Sequence, residues 1–576
     1  MLVALVLARA LLTFLPGMWA WSLNVQRFLP APAAWTLWAL AGLTLLPPLA
    51  RVMVRWLERP AGLAGRRPTV AALLVFAGGA ALVWSLPDRT HYVGDFLLRQ
   101  GAVIAREPPG NVFIQATPLD LFLHYDLPCA LVDRLNLQPD TAARLLGALE
   151  AGLLAWLASR FARVLRLEGA AHVAAASIVF FGAYLGLYAG YGKSFSELTL
   201  AVAAAGVFGL LAVREGRGLL AFGVALSCAL LAHRLGLALW PAALVVWTLW
   251  LSRHRAAGGW RRAAAVAGIA LPLCVLAWVL PGFTRVLGGY DMRVHLVSDQ
   301  VKSQGGPLAA MWAGLRPLDL LNLVLAISPL ALAAPLVMMG GAGARGRRAE
   351  LLTLAVIALP YLAILLVAHP GQGIFRDWDD FGVLGVSLSL VTGWLVGGAL
   401  GAQPRLRWVG IAVAAYVALA SSQWLLLWTD ADRGMRRAAA FVTEAPARQG
   451  RDAGRTWEFL GMRQRQLGRN EAAAAALARA ARNAPSPAVM REWALAEAEC
   501  GRLEEARRIY RELLERDPRN RSAWFSLGAI STQLGDYPES RRALRELLRI
   551  DPGNGQVRQL LAEIDRYHPA SPAPAP

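Results

Sequence analysis

The sequence predicts an all-α protein in two parts: a polytopic bundle of transmembrane helices, then a soluble α-solenoid. Three observations carry that prediction. The 576 residues are 56% hydrophobic and only 17% charged, with positive mean hydropathy, the balance of a membrane protein and not of a soluble one. Residues 1–429 contain thirteen apolar stretches near the ~20 residues a bilayer crossing needs. Beyond residue 453 the composition turns to alanine, arginine and glutamate at helical spacing, with a period of about 34 residues.

The expected spans are 2–21, 34–56, 69–87, 143–161, 170–190, 196–213, 218–233, 235–252, 262–281, 317–340, 350–368, 381–400 and 406–428. The seventh and eighth are short and read as a tight hairpin or a partly re-entrant pair. The first has no basic stretch ahead of it and no small-residue cleavage site, so it reads as a retained helix and not a signal peptide. Four cysteines, Cys129, Cys228, Cys274 and Cys500, form no CxxC pair, which argues against a zinc site or a disulfide framework.

The net charge of +19 does not point to nucleic acid. Only Lys193 and Lys302 are lysines among the 58 basic residues; the rest are arginines, many in alternate loops. Arg51, Arg55, Arg59, Arg66 and Arg67 follow the second span. Further arginines follow the fourth, sixth, eighth, tenth and twelfth. All these loops fall on one side, which the positive-inside rule makes cytoplasmic. The amino terminus is then cytoplasmic and the carboxy-terminal domain outside, which for an inner membrane means the periplasm.

The acids segregate oppositely, although they played no part in the orientation. Residues 1–429 hold 19 of the 39 acids. Fourteen of them fall on the outer side; Glu58, Glu168, Glu215 and Glu350 fall inside, and Glu150 lies within the fourth span. Two outer loops are long, 88–142 and 282–316, and long loops on a helical scaffold are where binding groups concentrate.

Two acidic segments stand out at that face, HYVGDF at 91–96 and FRDWDDFG at 375–382. Asp88, Asp95, Asp377, Asp379 and Asp380 lie in or beside them. Carboxylates at a bilayer edge are costly, so they suggest function. Arg376 is suited to bidentate phosphate binding. Asp377 and Asp379 suit orienting a ligand, binding a divalent metal or contacting a sugar, and Trp378 suits stacking on a sugar ring. Asp379 or Asp380 would equally serve as a helix N-cap. YGKSFSE at 191–197 offers Lys193 as a phosphate partner and Glu197 at a helix start, against a plain Lys–Glu surface pair. His233 and Arg234 sit at the tip between two short spans, where phosphate binding competes with snorkelling. His124, Tyr125 and Asp126 are weaker candidates. Asp291, Arg293 and His295 read as a solvated face.

The layout resembles the GT-C superfamily of polytopic glycosyltransferases over roughly residues 69–430. That resemblance implies a catalytic acid in the first long outer loop, where this chain has Asp95 in HYVGDF. It also implies a polyprenyl-phosphate-linked sugar donor, membrane lipid around the site, and a soluble carboxy-terminal domain outside. Asp95 departs from the paired acids of many relatives, since its neighbours are Gly94 and Phe96. The metal requirement stays open. A surface-polysaccharide ligase or polymerase and a non-enzymatic membrane-anchored scaffold are the alternatives. The scaffold leaves thirteen spans unexplained, and a transporter would call for more mid-helix charge than Glu150.

The carboxy-terminal period resembles the tetratricopeptide repeat. Trp457, Leu460, Gly461, Gly468, Ala473 and Pro485 form one set. Trp493, Gly501, Ala506, Tyr510 and Pro518 form a second, and Trp524, Leu527, Gly528, Gly535, Leu544 and Pro552 a third. The expected organisation is a transmembrane domain at 1–429, a linker at 430–452, about three repeat units at 453–567 with a closing helix near 555–567, and a disordered tail at 568–576. The resemblance implies a groove for a protein or peptide, or else a rigid cap.

Overall fold

The computed structural model of the chain describes residues 1–94, 96–113, 115–254, 258–339 and 347–568. The described residues are helical with no strand, and they divide into two compact units, Met1–Gly434 and Met435–Pro576.

Among the described residues of the first unit seven helices are long and apolar enough to cross a membrane: Pro139–Val164, Phe195–Glu215, Arg234–Arg253, Trp260–Leu296, Arg348–Val367, Trp378–Ala402 and Pro404–Trp428. An eighth is reached if Ala31–Leu43 and Pro47–Trp56, bent by 88°, count as one span. The other expected spans are shorter, and local chemistry shows why. The first helix stops at Phe14, ahead of Pro16 and of Gly17 at φ +98°. The helix Gly169–Phe180 ends before Gly182, whose backbone is extended; a Cβ there would lie 2.3 Å from the Ile327 carbonyl oxygen. Helix Arg316–Ile327 is separated from Ala333–Met339 at Ser328-Pro329, where proline supplies no N–H to continue the ladder. Pro68–Trp84 and Leu219–Ala232 are shorter apolar helices of 17 and 14 residues.

Two helices form the centre of this unit. The apolar windows of Phe195–Glu215 and Trp378–Ala402 are 83% and 78% buried. They approach closely because Gly206 faces Leu390, whose Cδ1 would lie 2.5 Å from an added Cβ. Their amino-terminal turns carry Glu197 and Asp379–Asp380, so the fold itself gathers the acidic candidates at one end of the core. At the other ends, Arg214 and Arg347 share Glu350, at 2.8 and 2.5 Å, and Ala50, Ala170 and Ile411 form one cluster.

The second unit is a run of helices. The helix Ala431–Thr443, in the segment expected as a linker, begins within the first unit and ends in the second. Three helix pairs follow: Gly450–Gln466 with Asn470–Asn483, Pro487–Glu499 with Leu503–Arg516, and Arg521–Gln533 with Tyr537–Ile550. Gly555–Tyr567 closes the array. Gly468, Gly501 and Gly535 sit in the intervening turns at φ +72°, +77° and +77°, conformations that favour glycine. Gly461 and Gly528 instead allow close approach, to Leu477 and Leu544. The expected tail beyond His568 lies outside the described residues.

Candidate functional site

The two acidic segments meet. Asp95 itself lies outside the described residues, but its neighbours are well placed. Tyr92 is fully buried; its ring stacks on Trp428 at 5.7 Å and meets Phe375 edge-on at 5.7 Å. Its carbonyl oxygen accepts a hydrogen bond from Arg376 Nε at 3.4 Å. Gly94 adopts a left-handed φ of +59°. A Cβ on it would lie 2.7 Å from the Tyr191 hydroxyl and 2.9 Å from Asp379 Oδ2. Asp88 shapes the turn that leads in, accepting from the Thr90 and His91 amides at 2.7 and 2.9 Å.

Asp379 is the buried centre of the arrangement, with no exposed surface. Its Oδ2 accepts the Tyr191 hydroxyl in a short hydrogen bond and lies 3.6 Å from Lys193 Nζ. Lys193 also stands 3.8 Å from Asp380. Neither aspartate caps the following helix: the N-cap position of Gly382–Ala402 is Phe381, with no side-chain cap bond. Asp377 is also buried and accepts the Gln372 amide at 2.7 Å. Burial, then the charges of Asp380 and Asp379, push its carboxyl well above the usual range, while Lys193 and Arg376 pull it back.

Trp378 differs from the expectation of an open stacking platform. It is 1% exposed, meets Trp424 edge-on at 5.5 Å, and packs on Gly186, where an added Cβ would be 3.3 Å from its ring. It forms the floor of a recess also lined by Asp88, Val93, Tyr191 and Trp428.

Lys193 and Glu197 do not pair with each other. Lys193 turns to Asp379 and Asp380, with its ammonium 5.0 Å from the centre of the Phe195 ring. Glu197 Oε1 lies 2.9 Å from His124 Nε2, both side chains buried. Its other oxygen accepts Ser196 Oγ at 2.9 Å.

His233 packs on Phe195 at 4.7 Å and accepts the Leu235 amide at 3.1 Å. Arg234 is held bidentately by Asp291, at 2.5 and 2.7 Å, and by Gln115 at 3.0 Å. Asp291 is therefore not part of a solvated face: its side chain is 13% exposed, with His295 at 3.9 Å. Arg293 is exposed. Tyr125 lies apart, its hydroxyl donating to the Glu107 carbonyl at 2.6 Å.

Two participants escape the sequence candidates, Tyr191 and Arg99. Tyr191 opens YGKSFSE but is neither charged nor acidic, and Arg99 lies in no motif; Arg99 grips Asp120 at 2.7 and 3.0 Å and the Gly192 carbonyl at 3.1 Å. Among the described residues no group of three or more His, Cys, Asp or Glu is arranged to hold a metal ion.

A tetratricopeptide repeat family model matches residues 491–555. No curated protein matches the chain by sequence. Among solved structures the chain is similar to ArnT from Cupriavidus metallidurans bound to undecaprenyl phosphate, at 18% identity and a TM-score of 0.39, over 77% of this chain and 80% of that one. It is similar to the apo state of the same protein at 18% identity and a TM-score of 0.36, with the same coverage. The chain is thus an all-helical protein with membrane-length apolar helices and a carboxy-terminal tetratricopeptide repeat.

Proposed function

We propose that the chain is an integral-membrane glycosyltransferase that moves a sugar from a polyprenyl-phosphate-linked donor to an acceptor at the outer, periplasmic face. The observation that carries this reading is the meeting of the two acidic segments, Tyr92 with Arg376 and Gly94 against Asp379, beside Lys193. Glycosyl transfer needs a base for the acceptor hydroxyl and cations for the departing phosphate. Asp95, next in sequence to Gly94, takes the proton. The acceptor oxygen bonds to the sugar C1 as the C1–O bond to phosphate breaks, and Lys193 and Arg376 face the charge left on the lipid phosphate.

Asp377 and Asp379 position those cations, and Trp378 supports them from below. Glu197 and His233 build the wall around Phe195, and Arg234 ties the second outer loop to it. The amino terminus is cytoplasmic, the repeats stand outside, and the repeat groove recruits the acceptor or a partner protein. Alternate arginine-rich loops support that orientation.

The test is transfer from labelled polyprenyl-linked sugars in membranes holding Asp95→Asn or Arg376→Ala. Loss of transfer in both supports the site; normal transfer in both would overturn it. A reporter fused at the carboxy terminus and active in the cytoplasm would overturn the orientation.

A further inference from the structure

Helix Pro47–Arg66 turns 88° from Ala31–Leu43 over residues 44–46. A helix at a right angle to one that enters the bilayer runs along the membrane surface and not through it. At ~100° per residue its first turns present three faces. Ala50 is fully buried and packs with Ala170 and Ile411, with Val54 beside it. To one side of that contact stand Leu49, Met53 and Trp56, 44%, 45% and 66% exposed. To the other stand Arg51 and Arg55, both exposed. Val52, between these two groups, is exposed as well.

The contact places the helix within the bundle. Ile411 lies near the start of Arg407–Trp428, and Trp428, its last residue, lines the recess beside the acidic site. Those 22 residues span about 33 Å, close to the thickness of a bilayer core. Helix Pro47–Arg66 therefore sits at the end of the bundle opposite the site.

Two features call for a partner there. Large apolar side chains exposed along one side of a basic helix are costly in water and match acyl chains. Arg51 and Arg55 are one turn apart, a spacing at which like charges repel, and among the described residues neither has an acidic partner. Arg66 and Arg67, both exposed, add charge of the same sign at the end of the helix. One phosphate fits between two guanidinium groups whose Cβ atoms are about 6 Å apart, since each can bind it through two N–H groups.

We propose that this helix lies in the membrane–water interface opposite the acidic site. Arg51 and Arg55 together hold the phosphate of an anionic phospholipid, and Leu49, Met53 and Trp56 sit among its acyl chains. The inference is independent of the glycosyl-transfer reading, because the lipid it names is bound at the other membrane face.

The test is amide hydrogen exchange of the full-length protein in lipid nanodiscs, one set of phosphatidylcholine alone and one containing phosphatidylglycerol. The peptide covering 47–56 is expected to exchange more slowly in the anionic discs, by roughly fivefold for each arginine engaged. Arg51→Gln with Arg55→Gln is expected to remove that difference, and Arg51→Lys with Arg55→Lys to keep most of it. Met53→Asp, on the acyl side, is expected to speed exchange in both discs. Equal exchange of the native protein in the two discs, a difference that survives in the glutamine variant, or slow exchange retained in Met53→Asp would each overturn the proposal. So would protection that appears only in discs holding two copies, which would assign the apolar face to a second chain. None of these readouts involves transfer, so the reading of the acidic site is judged separately, by Asp95 and Arg376.

Discussion

Lys193 Nζ stands 3.6 Å from Asp379 Oδ2, although the two residues are 186 positions apart in sequence. One lysine thus joins the start of one central helix to the turn before the other. Its side chain is 19% exposed and that of Asp379 is fully buried, so the ammonium is the accessible end of the pair. Lys193→Met is expected to lower kcat/KM for a polyprenyl-phosphate-linked sugar by roughly 100-fold, the usual loss when one charge-stabilising group is removed. Lys193→Arg, which keeps the charge, should fall less. Initial rates in membranes check this, and equal rates for Met and Arg would remove the electrostatic role.

Gly94 gives a steric test of the same junction. Its backbone is left-handed, and its missing Cβ would collide with the Tyr191 hydroxyl and Asp379. Gly94→Ala should therefore move the segment that carries Asp95, and a displacement near 1 Å at a reacting group can cost about 100-fold in rate. Adding Tyr191→Phe removes the nearest colliding atom. The double variant is expected to recover part of the activity but not all, because the strain of a positive φ, about 1 kcal/mol, remains. A double variant no better than Gly94→Ala would show that the hydroxyl is not the obstacle.

Asp377 sets a pH dependence of known sign. Its carboxyl is pushed up, mainly by burial and then by Asp380 and Asp379. A raised pKa means that the folded protein holds the proton more tightly than the unfolded chain. Stability from this group is full below the ordinary aspartate range near ~3.9 and is lost as pH rises through the folded value. Asp377→Asn keeps an oxygen for the Gln372 amide and removes the titration. Melting curves should show the variant gaining on the native protein as pH rises, with no gain at acid pH. A constant difference across pH would contradict the assignment.

Much of this was legible along the chain, and the rest was not for definite reasons. The long apolar runs announced the helices, because membrane crossing demands length and hydropathy. Their interruptions at Pro16–Gly17, at Pro47 and at Ser328–Pro329 are local signals, yet hydropathy averages over them, and so six expected spans are short or broken. The acidic segments were visible as residues out of place. Their partners were harder. Lys193 and Glu197 sit four apart, the spacing of a helical ion pair, but Lys193 precedes the helix, which begins at Phe195. It turns to Asp379 while Glu197 turns to His124. Asp291 looked solvated because nothing nearby in sequence marks Arg234, 57 residues away, as its partner.

That Arg234–Asp291 pair makes a further prediction. Both side chains are largely buried, at 11% and 13% exposure, so removing one leaves the other uncompensated. Arg234→Gln or Asp291→Asn alone is expected to cost about 3–5 kcal/mol of local stability. The double change should cost clearly less than the sum. Hydrogen exchange over 287–296 in the four proteins measures the coupling, and additive effects would show that the pair does not tie the second outer loop down.

The repeats separate two uses of glycine. Gly528 lies opposite Leu544, with Cδ2 and Cγ at 2.9 Å from an added Cβ, so the helices Arg521–Gln533 and Tyr537–Ile550 touch through it. Gly535 has open space but a φ of +77°. Gly528→Val forces the helices apart and is expected to destabilise this pair by about 1–3 kcal/mol, the range for overpacking. Gly535→Ala strains only the turn, at about 1 kcal/mol. The two also differ in where the damage appears. Peptide-resolved hydrogen exchange of the full chain should loosen both helices in Gly528→Val. In Gly535→Ala it should loosen chiefly the turn and the residues beside it. Turn-confined loosening in Gly528→Val would mean that Leu544 repacks at little cost, and that the close approach of these helices is not what holds the unit together.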